Sequence, residues 1–391
     1  MMLKTINAVI TPILAASLLL SCNESDLNQN VSETPEQNAP ATGEVTKSEQ
    51  ENFVVDTLSN ELSNPWGIAF LPDGKILVTE KAGEIRIFKD GALLPEKMTG
   101  VPEVFASGQG GLLDIKTHPD YADNGWIYIT YSKPGEGGAA TAMIRGKIDG
   151  NALVQTEELF RAQPYIKSGH HFGSRIAFDG KGHVFVSTGE RGTKPNAQNL
   201  ENHYGKVIRL NEDGSVPNDN PFVNTPKAKP EIWSYGHRNV QGMVYDDASN
   251  TLFAHEHGPK GGDEINIVLP GKNYGWPVIT YGIDYDGSTI SEISEKEGLE
   301  QPIHYWDPSI APCGMAIVTS NKFPNWKGDL LIGALSHTHV VRVELDNKTF
   351  AGEEKLLEGV GRVRAVAESP DGFIYVATES PGMLLKLSPT N

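Results

Sequence analysis

The sequence contains few cysteines and comparatively few basic residues. Its two cysteines, Cys22 and Cys313, exclude a disulfide-stapled scaffold and a zinc site made of four thiolates. Only 33 lysines and arginines accompany 50 aspartates and glutamates, so the formal net charge is −17. Binding a phosphate backbone needs a basic face, so nucleic acid is not an expected partner. Helical periodicity is nearly absent, whereas 41 glycines and 25 prolines indicate many tight turns.

Residues 1–22 have the features of an export signal. A basic start precedes an apolar stretch over residues 6–20, which is too short to span a membrane comfortably and has the length of a secretory signal. The stretch leads to Cys22 and resembles the bacterial lipoprotein signal, in which the cysteine is acylated after cleavage. An ordinary signal peptide with an accidental cysteine is the alternative. Because Asn23 rather than Asp follows the cysteine, we expect a lipid anchor in the outer membrane, facing the periplasm.

Residues 23–52 form a polar, acidic segment. They include seven acidic residues and one lysine and almost no large apolar side chains. Such a segment cannot bury enough apolar surface to offset the entropy lost on ordering. We therefore predict a disordered tether over 23–52 and a folded domain over 53–391.

An apolar strand, a tight turn and a second strand recur as a unit six times in the folded domain. Asp-Gly or Asn-rich residues supply the positive φ angles that such turns require. The turns lie near residues 73, 120, 179, 246, 325 and 371. Units that cannot bury both faces alone stack around an axis, so we predict an all-β, six-bladed β-propeller with four-stranded antiparallel blades. An outer strand over Phe53–Leu58 is expected to close the ring against strands that end at Leu387. A β-sandwich or β-solenoid is the alternative.

Two histidines and a glutamate suggest acid–base chemistry. His170 and His171 precede one predicted strand, and Glu190 follows the next. A carboxylate that fixes one imidazole tautomer raises the basicity of the other ring nitrogen. A capped turn with a surface histidine is the alternative interpretation, and a zinc site lacks a third ligand at a familiar spacing.

A glycine-rich loop carries candidate ligands for a hard cation. The segment 255–264 reads His-Glu-His-Gly-Pro-Lys-Gly-Gly-Asp-Glu. Its glycines and proline prevent the helix of a His-Glu-x-x-His zinc site. The carbonyls of Gly258 and Pro259, with the carboxylates of Asp263 and Glu264, suit calcium better than zinc. A turn with exposed acids is the alternative.

Arginines form the third group of candidates. Arg238 and Asn239 lie in a glycine-flanked segment, and Arg362 and Arg364 precede the last repeat. Because residues two apart on a strand share a face, Arg362 and Arg364 are able to point at one anion. Solvent-facing salt bridges are the alternative.

Seven phrases together resemble the glucose/sorbosone dehydrogenase family, the soluble aldose sugar dehydrogenases that depend on calcium and pyrroloquinoline quinone (PQQ). They cover most of residues 60–388 in the family's order. The phrases are Asn64–Gly67, Gly108–Leu113, His171–Arg175, Gly236–Gly242, Glu256–Glu264, Ile310–Gly314 and Arg362–Arg364. The resemblance implies a six-bladed propeller that oxidises aldoses at C1 to the lactone and passes electrons to an acceptor other than oxygen.

The resemblance also implies roles for individual residues. His171 matches the general base, which takes the proton of the anomeric hydroxyl while hydride passes from C1 to C5 of PQQ. Glu190 matches its acidic partner, and Gln109 matches a residue near the substrate. Arg238 and Asn239 match residues that contact the quinone oxygens.

Further matches concern the cofactor and calcium. Arg362 and Arg364 match anchors of the PQQ carboxylates, and Gly258 and Pro259 match backbone ligands of the calcium that contacts PQQ. The residues that resemble a second, structural calcium site are Asp263, Glu264, Tyr274 and Asp284.

The sequence departs from some glucose-active members at two places. His257 stands where those members have Gln, so we expect it beside the cofactor, and the segment 335–339 lacks a lysine that they place over the cofactor. Two other functions remain open: a calcium-dependent propeller lactonase and a lipoprotein that binds a partner without catalysis. The dehydrogenase interpretation requires the three groups to converge, and the alternatives do not.

Overall fold

Six antiparallel sheets make up the computed structural model, which describes residues 43–390. The predicted signal peptide with Cys22, and residues 23–42 of the predicted tether, lie outside the described residues. None of the helices within 43–390 has the length and apolar character needed to cross a bilayer.

Each sheet is a blade of at least four strands, and we number the strands in chain order. Ahead of the first blade come β1 (Val45–Lys47) and β2 (Asn52–Ser59). The first blade contains β3 (Pro65–Phe70), β4 (Ile76–Glu80), β5 (Glu84–Lys89) and β6 (Ala92–Lys97). The second contains β7 (Leu112–Thr117), β8 (Ile127–Gly135), β9 (Gly138–Asp149) and β10 (Ala152–Arg161). The third contains β11 (Ile176–Phe178), β12 (His183–Thr188), β13 (Lys206–Asn211) and β14 (Ile232–Tyr235).

The remaining blades follow the same order. The fourth contains β15 (Val240–Asp246), β16 (Thr251–Glu256), β17 (Asp263–Ile267) and β18 (His304–Trp306). The fifth contains β19 (Pro312–Ile317), β20 (Leu330–Ala334), β21 (His339–Asp346) and β22 (Thr349–Leu356). The sixth contains β23 (Val363–Glu368), β24 (Ile374–Glu379) and β25 (Gly382–Pro389), to which β2 and β1 add. Helical structure in the described residues is limited to α1 (Tyr121–Asn124) and the short 3-10 turns Lys194–Gln198 and Pro324–Trp326.

The first strands of neighbouring blades contact one another in a closed ring. The contacts run from β3 through β7, β11, β15, β19 and β23 back to β3. Apolar side chains fill the layer between every two adjacent sheets, so central strands such as β4 and β20 are buried along their whole length. The six-bladed β-propeller predicted from the repeats is therefore confirmed.

The ring closes through backbone pairing between the two ends of the described chain. β2 pairs antiparallel with β25, and Phe53 lies opposite Pro389. The predicted outer strand over Phe53–Leu58 is confirmed. The last residues of the predicted tether require a correction, because β1 pairs with β2 as a fifth strand of the sixth blade. Backbone hydrogen bonds hold such an edge strand, so its polar side chains did not indicate it.

The six repeated turns all join the first strand of a blade to the second. They include the Asp-Gly turn between β3 and β4 and the segment containing α1 between β7 and β8. Because every blade repeats this connection, the turns share one end of the propeller. The segments that precede first strands and follow second strands share the other end, where the candidate functional residues lie.

Candidate functional site

The predicted site residues converge on the mouth of the propeller opposite the six turns. Gln109 precedes β7, His171 precedes β11, and Arg238 precedes β15. Glu190 follows β12, and His257 follows β16. Each position is therefore set by the start of an inner strand or the end of its neighbour, and these ends meet around the channel.

His171 and Glu190 form a hydrogen-bonded pair. Nδ1 of His171 donates to Oε1 of Glu190 at 2.6 Å. The side chains are 12% and 2% exposed, so water competes little for this bond. With Nδ1 protonated, Nε2 carries the lone pair and is the atom able to accept a proton. The two side chains that were predicted to pair therefore do so, and their catalytic roles stay a prediction.

Close backbone approaches hold His171 in a constrained conformation. Its φ is 51°, in the left-handed region that few non-glycine residues adopt. Its N–H donates to Oε1 of Gln109 at 2.8 Å, so Gln109 supports the backbone of the histidine. A Cβ at Gly189 would lie 2.2 Å from the His171 carbonyl oxygen, and one at Gly108 would lie 2.5 Å from that of Gly169. Glycine is needed at both positions because the chains pass so closely.

The pKa of His171 reflects influences of opposite sign. Burial lowers the pKa below its ordinary value, the hydrogen bond to Glu190 acts to raise it, and the charge of Arg238 lowers it further. The net shift is downward. The imidazole is therefore neutral near pH 7, as a general base must be.

Arg238 is a buried cation that contacts carbonyl groups. Its Nη1 donates to the carbonyls of His257 at 3.1 Å and Gly258 at 2.9 Å. Its guanidinium forms no ion pair within residues 43–390 and lies 5.4 Å from the Trp276 ring and 6.0 Å from the exposed Tyr285 ring. A buried charge without a counter-ion is costly, which favours an anionic or electron-rich ligand beside it.

A buried network that the sequence did not reveal fixes the Arg238 backbone. Glu256 accepts the Arg238 N–H through Oε2 at 2.5 Å and bonds His237 Nδ1 through Oε1 at 2.8 Å. His237 in turn contacts Ser234 Oγ at 2.8 Å and stacks on the Tyr274 ring. These residues are almost completely buried, so the network is a support rather than a reacting group.

Asn239 supports the histidine segment from the next blade. Its Oδ1 accepts the N–H of Gly173 at 3.1 Å and Nε2 of Gln241 at 3.4 Å. Its backbone carbonyl accepts the N–H of His257 at 3.1 Å. Asn239 therefore connects the loops that carry His171 and His257.

Arg362 and Arg364 do point at one anion, and that anion belongs to the protein. Nη2 of Arg364 donates to both Glu379 oxygens at 3.1 Å, and Nε of Arg362 donates to the same carboxylate at 3.2 Å. Although burial acts to raise it, the two arginines hold the pKa of Glu379 below its ordinary value. Among the described residues this one carboxylate is the only acidic partner of the two guanidinium groups, so one positive charge is left without a counter-ion. Sequence patterns did not indicate Glu379, because it lies at the far end of β24.

Arg175 closes the channel below the site. Its guanidinium lies 3.9 Å from the Trp66 ring and contacts Asp114 Oδ1 at 3.3 Å. It donates to the carbonyls of Gln241 at 2.7 Å and Arg364 at 2.8 Å. These contacts, with Cys313 Sγ at 3.5 Å, reach all five other blades. Arg175 lies in one of the family-like phrases, but the sequence did not reveal this role.

The glycine-rich loop is shaped by Asp263. Its Oδ1 accepts the Gly258 N–H at 2.8 Å, and its Oδ2 accepts Ser309 Oγ at 2.7 Å and the Ala311 N–H at 2.9 Å. Burial raises the pKa of Asp263 to about 6. Nε2 of His257 contacts the Pro312 carbonyl at 2.8 Å, which places His257 against the next blade.

The side chains of the four residues that resemble a second calcium site have partners of their own within the described residues. Asp263 is engaged within its own loop, Asp284 pairs with Lys194, and the Tyr274 hydroxyl donates to the Ile267 carbonyl at 2.6 Å. Burial and the nearby Glu256 raise the pKa of Glu264 to about 8. No three histidine, cysteine or carboxylate side chains within 43–390 converge on one point. The second calcium site, like the site made of backbone carbonyls, stays a prediction.

Comparisons with known proteins agree with this architecture. The family model described as Glucose / Sorbosone dehydrogenase matches residues 62–386. Over 345 aligned residues the chain is 45% identical to the aldose sugar dehydrogenase YliI of Escherichia coli strain K12. The alignment covers 86% of this chain and 93% of that protein.

Two solved structures extend the comparison. The apo-form of the soluble aldose sugar dehydrogenase (Asd) from Escherichia coli has a TM-score of 0.84 and is 42% identical in sequence. The superposition covers 86% of this chain and 100% of that chain. The PQQ-bound form of the aldose sugar dehydrogenase (Adh) from Streptomyces coelicolor has a TM-score of 0.71 and is 29% identical in sequence. The superposition covers 86% of this chain and 98% of that chain. The chain therefore belongs to the glucose/sorbosone dehydrogenase family.

Proposed function

We propose that this protein oxidises aldose sugars at C1 to the corresponding lactone with PQQ as cofactor, and passes the electrons to an acceptor other than oxygen. The observation that carries the proposal is the His171–Glu190 pair, together with the buried guanidinium of Arg238, which has no carboxylate partner within residues 43–390. Oxidation of an alcohol carbon by hydride removal needs a base for the hydroxyl proton and a cation for the charge transferred.

The protein's own residues have separate tasks in this reaction. Nε2 of His171 accepts the proton of the anomeric hydroxyl, and Glu190 stabilises the imidazolium that forms. Gln109 holds the His171 backbone in place, since its Oε1 accepts the His171 N–H. Burial of the pair excludes water that would otherwise weaken the bond between them.

The residues present fit PQQ, a planar anion with three carboxyl groups. When bound, PQQ supplies the electrophilic quinone that accepts the hydride from C1. Arg238 and Asn239 would contact the quinone oxygens, with His257 beside them. Arg362 and Arg364 would hold carboxyl groups, a role supported by the one positive charge that Glu379 leaves uncompensated.

Calcium belongs to the same proposal. A carbonyl oxygen has two lone pairs, and Arg238 engages the Gly258 carbonyl through one hydrogen bond. The other lone pair, with the carbonyl of Pro259, would suit a hard cation that prefers oxygen ligands.

The test is reconstitution of the purified protein with PQQ alone, calcium alone, and both. Dye-linked oxidation of several aldoses is measured in each case, together with the quinone absorbance retained after gel filtration. We expect activity only with both additions and retention of the quinone. No aldose oxidation, combined with no retained quinone, would overturn the proposal, and lactone hydrolysis would then be the activity to measure.

We also propose that the protein is exported and lipid-anchored at Cys22, which lies outside the described residues. The support is the short apolar stretch before that cysteine. Labelled fatty acid should be incorporated into the wild type and not into Cys22→Ser. Equal labelling of the two would contradict the anchor.

A further inference from the structure

Arg191 is a deeply buried cation beside the site that the proposed reaction leaves without a role. Its side chain is 1% exposed, and it forms no ion pair within residues 43–390. Its Nε and Nη1 are buried and find no hydrogen-bond partner in the part of the chain that the structure describes. Burial lowers the pKa of Arg191 to about 10. Replacing a buried charge by an apolar side chain of similar size is often neutral or stabilising, so packing alone does not explain an arginine here.

The contacts of Arg191 lead to the segment that carries His171. The guanidinium carbon lies 3.4 Å from the centre of the Phe172 ring, and Nη2 donates to the Ser168 carbonyl. Phe172 is the residue after His171, and Ser168 lies three residues before it. Arg191 therefore contacts the segment both before and after His171.

The backbone on either side of Arg191 follows the same segment. A Cβ at Gly189 would lie 2.2 Å from the His171 carbonyl oxygen, and one at Gly192 would lie 3.7 Å from Ser168 Oγ. Glu190, the neighbour of Arg191, holds the imidazole itself. Two consecutive residues thus fix one histidine, one through its ring and the other through its backbone.

We propose that Arg191 is a positioning residue that fixes the left-handed conformation of His171 and so keeps its Nδ1 on Glu190. The conformation at φ 51° is disfavoured for histidine and persists only where its surroundings enforce it. The planar guanidinium provides this restraint because it stacks on Phe172 and donates to Ser168 at the same time. The inference rests on the proposed function only for the effect on turnover.

The first test is nuclear magnetic resonance of the cofactor-free protein. In the wild type, ¹⁵N shifts should show His171 as the Nδ1–H tautomer, because Glu190 accepts that hydrogen. The groups that influence this ring are Glu190, Arg238 and His170. In Arg191→Met the segment is released, and we expect a mixture in which the Nε2–H tautomer increases. An unchanged Nδ1–H tautomer would overturn the inference, whether or not the protein oxidises sugars.

The second test uses the reconstituted enzyme. We expect Arg191→Met to melt at or above the wild-type temperature, yet to have a kcat lowered at least tenfold, with KM within about twofold. Arg191→Lys keeps the charge and one donor and should recover part of kcat. The matched control is Arg209→Met in the same blade, where the guanidinium lies 4.7 Å from the Trp233 ring and pairs with Asp219. Its kcat should stay within twofold.

Phe172→Leu removes the stacking face and leaves Arg191 in place. We expect a lower kcat, and an effect that does not add to that of Arg191→Met, because both changes release one segment. This variant also keeps the inference testable if Arg191→Met fails to fold. Independent, additive effects, or equal losses of stability and kcat in the Arg191 and Arg209 variants, would make Arg191 a structural residue only.

Discussion

Replacing Glu190 by glutamine tests the pairing at the centre of the site. The two side chains have nearly the same shape, so the amide oxygen of the glutamine still accepts the Nδ1–H of His171 and the fold should not change. What is lost is the negative charge, in a position where the bond is 2.6 Å long and the carboxylate side chain is 2% exposed. The substitution therefore isolates the charge from the geometry.

The magnitude follows from the two kinds of hydrogen bond. A bond to a charged group contributes about 1.5–3 kcal/mol net, and a neutral one about 0.5–1.5 kcal/mol. The difference, about 1–2 kcal/mol, corresponds to roughly 5- to 30-fold in a rate. In the proposed reaction the imidazolium forms in the transition state, so this loss should appear in kcat.

The pH dependence gives a second, signed result. Glu190 acts to raise the pKa of His171, so its neutralisation lowers that pKa. The acid limb of the kcat profile should therefore move to lower pH while the plateau falls. The assay is dye-linked aldose oxidation by the reconstituted enzyme across the acid range.

A matched control exists in the same blade. Glu231 contacts His203 Nε2 at 3.2 Å, away from the site. Glu231→Gln should leave both kcat and the acid limb in place. A shift of the acid limb to higher pH in Glu190→Gln, or an unchanged kcat, would refute the reasoning about this pair.

Three further changes have defined outcomes. Gly189→Ala would place a methyl group 2.2 Å from the His171 carbonyl oxygen, so we expect at least a tenfold loss of kcat with an unaltered circular dichroism spectrum. Arg175→Met breaks contacts to five blades, and chemical denaturation should show a loss of about 3–5 kcal/mol; less than about 1 kcal/mol would contradict its closing role. Burial lowers the pKa of His255 to about 3, so the unfolded state binds its proton more readily and stability should fall as the pH drops below about 6.5. His255→Gln should flatten that decline.

The number of blades was predictable because it depends on local chemistry. Each blade needs a tight turn after its first strand, and turns with positive φ require Gly, Asn or Asp. The turn at Asp73-Gly74 is an example, where Gly74 has a φ of 82°. Ring closure was also predictable, because an apolar strand at one end of the folded domain needs a partner strand at the other end.

The boundary of the tether was not predictable in the same way. β1 belongs to the sixth blade through backbone bonds, and Val45 is 54% exposed. A strand held by backbone pairing alone leaves no apolar alternation in the sequence. The boundary between tether and folded domain that was predicted from composition therefore lies after β1, although β1 is part of the folded domain.

The site was predictable in its residues and less so in their partners. Short sequence motifs were enough to single out His171, Arg238 and the pair Arg362 and Arg364. Glu379 lies 15 residues after Arg364, and Glu256 lies 18 residues after Arg238. Each glutamate meets its arginine only because the first strand of a blade begins at the mouth where the second strand ends. Such pairings depend on register, which local patterns do not specify.

The measurement that tests the central claim most directly is single-turnover reduction of the reconstituted enzyme by glucose and by [1-²H]glucose, in the wild type and in His171→Asn. We predict a primary isotope effect in the wild type, because in the proposed reaction the C1–H bond breaks as His171 takes the hydroxyl proton. We also predict a rate lower by about 10²- to 10⁴-fold in His171→Asn. Reduction of His171→Asn at the wild-type rate, or a wild type without an isotope effect in that step, would contradict the account.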